Sequence, residues 1–267
     1  MTIEGERVKV GRGKQWAAII RLNRPESLNA IDAAMLRALD KAISDVDADA
    51  NVRAVLLTGA GRAFSAGGDL KGYIKLQQDP VAFPKFVADL HRTFGRLRTL
   101  RVPVIALVNG MTAAGGLELV LNCDFTIVAR SARIGDGHLN FGQMGGGGVL
   151  TLLPRAIGRE RAMELIFSGR FLDADECVAW GLANRVVDDD TLLTTGIELA
   201  KGIAAKSPLA VANAKEVLHS VWSDNGSVDA GLRFELERDV YYCLTSHDAP
   251  EGLQAFAEKR RPRFRGR

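Results

Sequence analysis

An α/β core followed by a helical C-terminal region is the architecture this chain predicts, on three observations. Nearly continuous apolar runs of strand length, residues 52–58, 104–108 and 125–129, suit strands buried on both faces of a sheet. Segments with helical spacing of apolar residues alternate with them through the first two-thirds. The last quarter reads as helix throughout.

Taken in order, residues 8–10, the turn Gly11-Arg12-Gly13-Lys14 and residues 16–22 read as a hairpin. Residues 23–29 form a turn-rich loop, and Asp32 caps a helix carrying Met35, Leu39, Ile43 and Val46. After the strand at 52–58 comes Gly59-Ala60-Gly61-Arg62-Ala63-Phe64-Ser65-Ala66-Gly67-Gly68-Asp69-Leu70. It is not a dinucleotide fingerprint, because Phe64 stands where the third glycine belongs, and it lacks the Gly-Lys-Ser/Thr of a P-loop. Residues 81–100 place Val87, Leu90, Phe94 and Leu97 at helical spacing, and Pro103 introduces the strand at 104–108. Residues 134–144 read as a loop with two titratable groups, Asp136 and His138, followed by four glycines, Gly145 to Gly148. Helical patterns cover 159–168 and 174–180, and 184–187 is a short strand. Helices then follow at 192–205, 209–221, 228–244 and 251–259.

The totals bound the function. With 267 residues, 47% hydrophobic and 25% charged, the chain suits one large domain, or a domain with an appendage, around a sizeable core. Lys+Arg 35 against Asp+Glu 32 does not imply nucleic acid, and there is no basic stripe or aromatic platform for it. Cys123, Cys177 and Cys243 are widely spaced in apolar patterns, which predicts core packing in a reducing compartment. The polar N-terminus has no apolar core of a signal peptide, and no apolar run approaches the ~20 residues of a membrane span. A cytoplasmic protein without a membrane partner is expected. The four histidines, His91, His138, His219 and His247, are scattered and show no metal-ligand spacing.

One stretch carries chemistry: Ala113-Ala114-Gly115-Gly116-Leu117-Glu118-Leu119-Val120-Leu121. Glycines opening a helix leave backbone N–H groups unobstructed where the helix dipole favours negative charge. A lone Glu118 among Leu and Val is expected to be buried, which raises its pKa. Alone, the stretch favours the plainer reading of a Glu compensating a helix N-terminus, with glycines for tight packing. An internal echo adds to it. Two strands each end in glycine (Thr58-Gly59, Asn109-Gly110), and each is followed by Ala-Gly-Gly, at Ala66-Gly67-Gly68 and Ala114-Gly115-Gly116. Right-handed crossovers tend to bring successive loops to one sheet edge, where two N–H groups can meet one oxygen.

Residues 23–30, 61–70, 104–124, 158–165, 180–187 and 256–260 resemble, in order along almost the whole chain, the signatures of the crotonase (enoyl-CoA hydratase/isomerase) superfamily. The resemblance implies a spiral of ββα units over residues 1–200 holding an acyl-CoA site. It also implies a C-terminal helical trimerisation region over 201–267, giving a homotrimer or dimer of trimers. It implies no permanently bound cofactor, with coenzyme A arriving as part of the thioester substrate. Gly68 and Gly115 would donate N–H groups to the thioester oxygen. The backbone at Ser27, Leu28, Ala66 and Gly68, with Lys71, Phe256 and Lys259, would hold coenzyme A. For Lys71 and Lys259, a solvated surface lysine is an equally good reading. Residues 73–86 and 141–149 would shape the acyl pocket.

The chain departs from the family pattern at one place. Hydratases of the family use two carboxylates; Glu118 occupies the first position, and Gly137-His138 stands where Pro-Glu is usual. Gly145 replaces a usual proline. Histidine can do general acid/base work near neutrality, so a Glu118/His138 pair can still add water to a 2-enoyl-CoA. The alternative is that His138 only lines the pocket or bonds to backbone. Asp136 is a second candidate, pointing away from His138 if the segment is extended. Other readings are another crotonase reaction (isomerisation, thioester hydrolysis, C–C cleavage, decarboxylation) and a non-catalytic acyl-CoA-binding subunit.

Overall fold

The computed structural model describes residues 2–223 and 228–267; residues 1 and 224–227 lie outside the described residues. In chain order the strands are β1 (Ile3–Lys9), β2 (Trp16–Leu22), β3 (Val52–Gly59), β4 (Ala63–Ser65), β5 (Val104–Val108), β6 (Met111–Ala113), β7 (Phe125–Ala129), β8 (Arg133–Gly135) and β9 (Arg185–Val187). The first seven helices are α1 (Ala33–Ala48), α2 (Leu70–Leu76), α3 (Ala82–Thr99), α4 (Gly115–Leu121), α5 (Val149–Ile157), α6 (Arg159–Ser168) and α7 (Ala174–Trp180). The C-terminal ones are α8 (Leu192–Ala204), α9 (Pro208–Ser223), α10 (Val228–Thr245) and α11 (Asp248–Ala257).

Six strands form one sheet in the order β1-β2-β3-β5-β7-β9. The β1–β2 hairpin is antiparallel, with Ile3 opposite Leu22 and Lys9 opposite Trp16; the remaining pairs are parallel. Burial on both faces explains the apolar runs. Val55, Leu57, Val104, Ala106 and Val108 face the main core with α1, α3 and α4, while Ala54, Leu56, Ile105 and Leu107 face a second core closed by α8. On α1, Asp32 accepts the Met35 N–H at 2.7 Å, and Met35, Leu39, Ile43 and Val46 are buried, as the spacing predicts. The expected division at 200/201 falls inside α8.

A second, three-stranded parallel sheet, β4-β6-β8, was not visible in the periodicity. Each of its strands is three residues long, too short for an alternation pattern to register. They follow β3, β5 and β7 respectively, each after a corner, so three successive turns of the spiral each contribute one strand to each sheet. At the first two corners a Cβ on Gly59 or Gly110 would collide with the backbone of Arg62, Ala63 or Phe64. Asn109 ties the corners together: its Oδ1 accepts the Gly59 N–H at 3.0 Å, and its Nδ2 donates to Gly61 O at 3.0 Å.

Other differences have local causes. α2 and α5 are short helices in stretches the sequence left unassigned. Cys123 and Cys177 are buried as expected, but Cys243 is exposed, on the solvent face of α10 with Sγ 3.6 Å from Asp239. No helix among the described residues is long and apolar enough to cross a membrane.

Candidate active site

The two Ala-Gly-Gly loops lie side by side because β4 and β6 pair in parallel, Ala63 opposite Met111 and Ser65 opposite Thr112. A Cβ on Gly67 would stand 3.1 Å from Gly115 N, and a Cβ on Gly115 would stand 3.7 Å from Gly68 N. A Cβ on Gly116 would run into the Ser65 carbonyl, so the start of α4 packs directly on β4. Ala114 turns into the helix at φ 48°, ψ −117°, a positive-φ conformation outside the left-handed helical region that costs a non-glycine residue about 1–3 kcal/mol. Its N–H is held by Gly135 O at 3.2 Å. The N–H groups of Gly68 and Gly115 have no acceptor among the described residues, and both glycines line one cavity of about 660 Å³. Two free donors from adjacent loops are what an oxyanion requires.

The same cavity is lined by Glu118, Asp136 and His138, with Tyr73, Phe83, Phe141 and Phe171 among its apolar walls. Glu118, 2% exposed, projects from the first turn of α4, and its Oε1 accepts the N–H groups of Gly147 at 2.7 Å and Val149 at 3.4 Å. Burial pushes its carboxyl above the usual carboxylate range, as expected. The His138 charge and the two amides oppose the shift, and Asp136 adds to it. The glycine run has a physical role here. A Cβ on Gly145 would stand 2.7 Å from Glu118 Oε1 and 3.3 Å from His138 Cε1, so its absence leaves the space between the two side chains open.

Asp136 does not point away from His138, contrary to the expectation, since residues two apart share a face even in an extended segment. Gly137 adopts φ 66°, ψ −6°, and residues His138–Phe141 form a 3₁₀ turn, which folds His138 back over Asp136. Nδ1 of His138 lies 2.7 Å from Asp136 Oδ1, and the Asp136 side chain is 1% exposed. Burial by itself depresses the imidazole; the hydrogen bond to Asp136 and the Asp136 and Glu118 charges outweigh it and hold His138 above its ordinary value.

Tyr73, the first residue of the stretch 73–86 expected to shape the acyl pocket, lines the cavity wall. A Cβ on Gly68 would stand 2.9 Å from its ring, and Phe83 and Phe86 hold that ring edge-on at 6.1 and 5.5 Å. Burial, with the Glu118 charge, pushes its hydroxyl up to about 12.

The residues expected to hold coenzyme A are partly gathered. Ala66 lines the cavity, and its N–H donates to Leu28 O at 2.9 Å, which joins the Ser27–Leu28 turn to the Gly68 loop. Lys71 is exposed on α2, next to Leu70 of the cavity wall. Phe256, 83% exposed, and Lys259 lie at the end of α11 and are not part of the wall.

Comparison with known proteins agrees with this architecture. Residues 12–267 match the family model described as enoyl-CoA hydratase/isomerase. A probable enoyl-CoA hydratase of Mycobacterium tuberculosis is 38% identical over 250 residues, covering 94% of this chain and 95% of the relative. A 1,2-epoxyphenylacetyl-CoA isomerase of Escherichia coli is 37% identical over 255 residues, covering 93% and 94%. The crystal structure of an enoyl-CoA hydratase from Bacillus anthracis superposes with a TM-score of 0.92 at 35% identity, over 100% of both chains. With the spiral of paired strands, the adjacent glycine loops and this match over nearly its full length, the chain belongs to the crotonase, or enoyl-CoA hydratase/isomerase, family.

Proposed function

We propose that the protein adds water across the double bond of a 2-enoyl-CoA. The observation that carries this reading is the convergence of two unpartnered backbone N–H groups, Gly68 and Gly115, with Glu118 and His138 on one cavity. The thioester oxygen sits on the two N–H groups. Glu118 takes a proton from water as the oxygen adds to the β-carbon, and the π pair moves through the α-carbon onto the thioester oxygen as an enolate. As the enolate collapses, His138 gives a proton to the α-carbon, and proton exchange with solvent resets both groups. A raised pKa suits Glu118 for this, since a base poised nearer neutrality accepts a proton better.

Coenzyme A is assigned to the backbone at Ser27, Leu28, Ala66 and Gly68, with Lys71 and Lys259 supplying charge to its phosphates and Phe256 an apolar cover. The helical region beyond residue 200 is assigned to a trimer. Leu232, Leu236, Val240 and Leu244 repeat every four residues along α10 at 46–80% exposure, an apolar stripe that a monomer leaves in water.

The test is an acyl-CoA panel of enoyl, dienoyl and 3-oxoacyl thioesters read by mass spectrometry. Gain of one water on a 2-enoyl-CoA, lost by about 10²-fold or more in Glu118→Gln, is the expected result. Double-bond migration without water, thioester cleavage, or binding without turnover refutes hydration.

A further inference from the structure

Three groups, not two, form the acid/base array, and the third has a specific place. Asp136 Oδ1 and His138 Nδ1 are 2.7 Å apart in the cavity wall. Among the described residues Nε2 of the same ring has no hydrogen-bond partner, and it is not one of the buried side-chain atoms left unsatisfied, so it stays open to the cavity. The ring therefore has one engaged edge and one working edge.

We propose that Asp136 is a positioning residue that holds His138 with its Nδ1–H engaged and its protonated Nε2 toward the substrate, so that His138 serves as the proton donor and Glu118 as the base. This rests on the hydration reading above for the direction of proton flow, and on geometry alone for the dyad.

The roles follow from what surrounds each group. A histidine bonded through Nδ1–H to a buried carboxylate can carry its proton only on Nε2, where it meets the α-carbon side of the cavity. Glu118 faces no comparable anion at hydrogen-bond distance. Its Oε1 sits instead on the Gly147 and Val149 N–H groups, which favour the carboxylate that a base needs. The charges facing His138 are Asp136 from its own turn and Glu118 from α4, both negative, and both favour the imidazolium. On α6, which packs on this turn, the charged groups are engaged elsewhere. Glu164 pairs with Arg170 at 3.0 Å, Arg159 with Glu160 at 3.7 Å, and Arg161 lies over Trp180. When the imidazolium gives up its proton, the neutral ring keeps its Nδ1–H on Asp136 and does not reorient. The dyad also explains how a chain with histidine in place of the second carboxylate retains an acid: the displaced negative charge reappears one turn back, behind the ring.

The test uses the full-length protein with ¹³C-labelled histidine, following the Cε1–H of His138, assigned through His138→Gln, against pH. Wild-type His138 is expected to titrate above about 6.5, and Asp136→Asn to move the midpoint down by about one unit or more. A wild-type midpoint below that value, which needs no variant to measure, or an unmoved midpoint in Asp136→Asn, overturns the proposal. Turnover of crotonyl-CoA provides the second readout. The alkaline limb of kcat should follow the same midpoint. Asp136→Asn should lower kcat at pH 8 about tenfold or more while KM stays within about threefold, and in a His138→Gln background it should add less than about twofold. A loss that persists undiminished in that background means Asp136 acts independently of His138 and also overturns it. If no enoyl-CoA is hydrated, the functional reading fails while the titration still decides the dyad.

Discussion

Substitution of Gly145 by alanine tests the geometry of the acid/base gap directly. The added methyl would run into Cγ1 of Val149, which is fully buried at the start of α5. It would also stand 2.7 Å from Glu118 Oε1 and 3.3 Å from His138 Cε1. The first distance is well inside van der Waals contact and the second at its tight edge, so Glu118 or the 145–149 backbone must move by several tenths of an ångström. Overpacking of this kind costs roughly 1–3 kcal/mol of stability. The catalytic effect should be larger. The methyl occupies the space between the two groups proposed to handle water and the α-proton, and misplacing a reacting group by about 1 Å can cost on the order of 10² in rate. The expected result is a fall of about 10²-fold in kcat for crotonyl-CoA with a folded protein and little change in KM. Gly5→Ala, where the added Cβ meets nothing within 4 Å, serves as the neutral control. Full kcat in Gly145→Ala would show that the space between Glu118 and His138 is not where the reaction occurs.

Three further outcomes are expected. Lys215, with its side chain 6% exposed, caps the end of α3 by donating to Leu97 O and Val102 O at 2.9 Å and pairs with Asp124 at 2.7 Å. Lys215→Met should lower stability by about 3 kcal/mol, the low end for breaking a buried pair because His219 and the Val104 N–H still serve Asp124. Chemical denaturation reads this, and a change below about 1 kcal/mol contradicts it. If the proposed trimer forms through the apolar stripe of α10, Leu236→Glu should leave a monomer in light scattering where the wild type gives a trimer or larger mass; equal masses for the two contradict an interface on this stripe. Glu251 is held down to about 2 from an ordinary 4.5 by its hydrogen bond to Arg260 and by the Arg263 N–H. A depressed carboxylate stabilises the fold fully above 4.5 and loses that contribution as pH falls toward 2. Amide protection at Arg263 should fall through that window and lose its pH dependence in Glu251→Gln. Protection that stays constant down to pH 2 refutes the anchor.

Legibility in the sequence followed pattern length. α1, α6, α7 and the long buried strands carry enough turns or apolar residues to register. β4, β6 and β8 have three residues each and are specified by their partners across the small sheet. The two glycine loops were found by their repeated Ala-Gly-Gly, and Glu118 by its isolation among Leu and Val. The Asp136–His138 contact contradicts the expectation that Asp136 points away, and the signal against that expectation is the spacing itself, since residues two apart share one face of an extended segment. Gly137, able to adopt φ 66° at no steric cost, then closes the two side chains to 2.7 Å. Tyr73 was expected in the acyl pocket as part of residues 73–86, but its place over Gly68 was not, since that depends on Phe83 and Phe86 from α3.

By itself the sequence determined the layered α/β core, the two N–H-bearing loops and the burial of Glu118, because periodicity, glycine placement and a lone charge in an apolar run are local properties. Tertiary structure alone decided that these parts share one cavity, that Gly145 keeps a gap between Glu118 and His138, and that Asp136 stands behind the imidazole. Those relations join residues from separate turns of the spiral, and only the parallel pairing of the small sheet and the left-handed turn at Gly137 bring them within bonding distance.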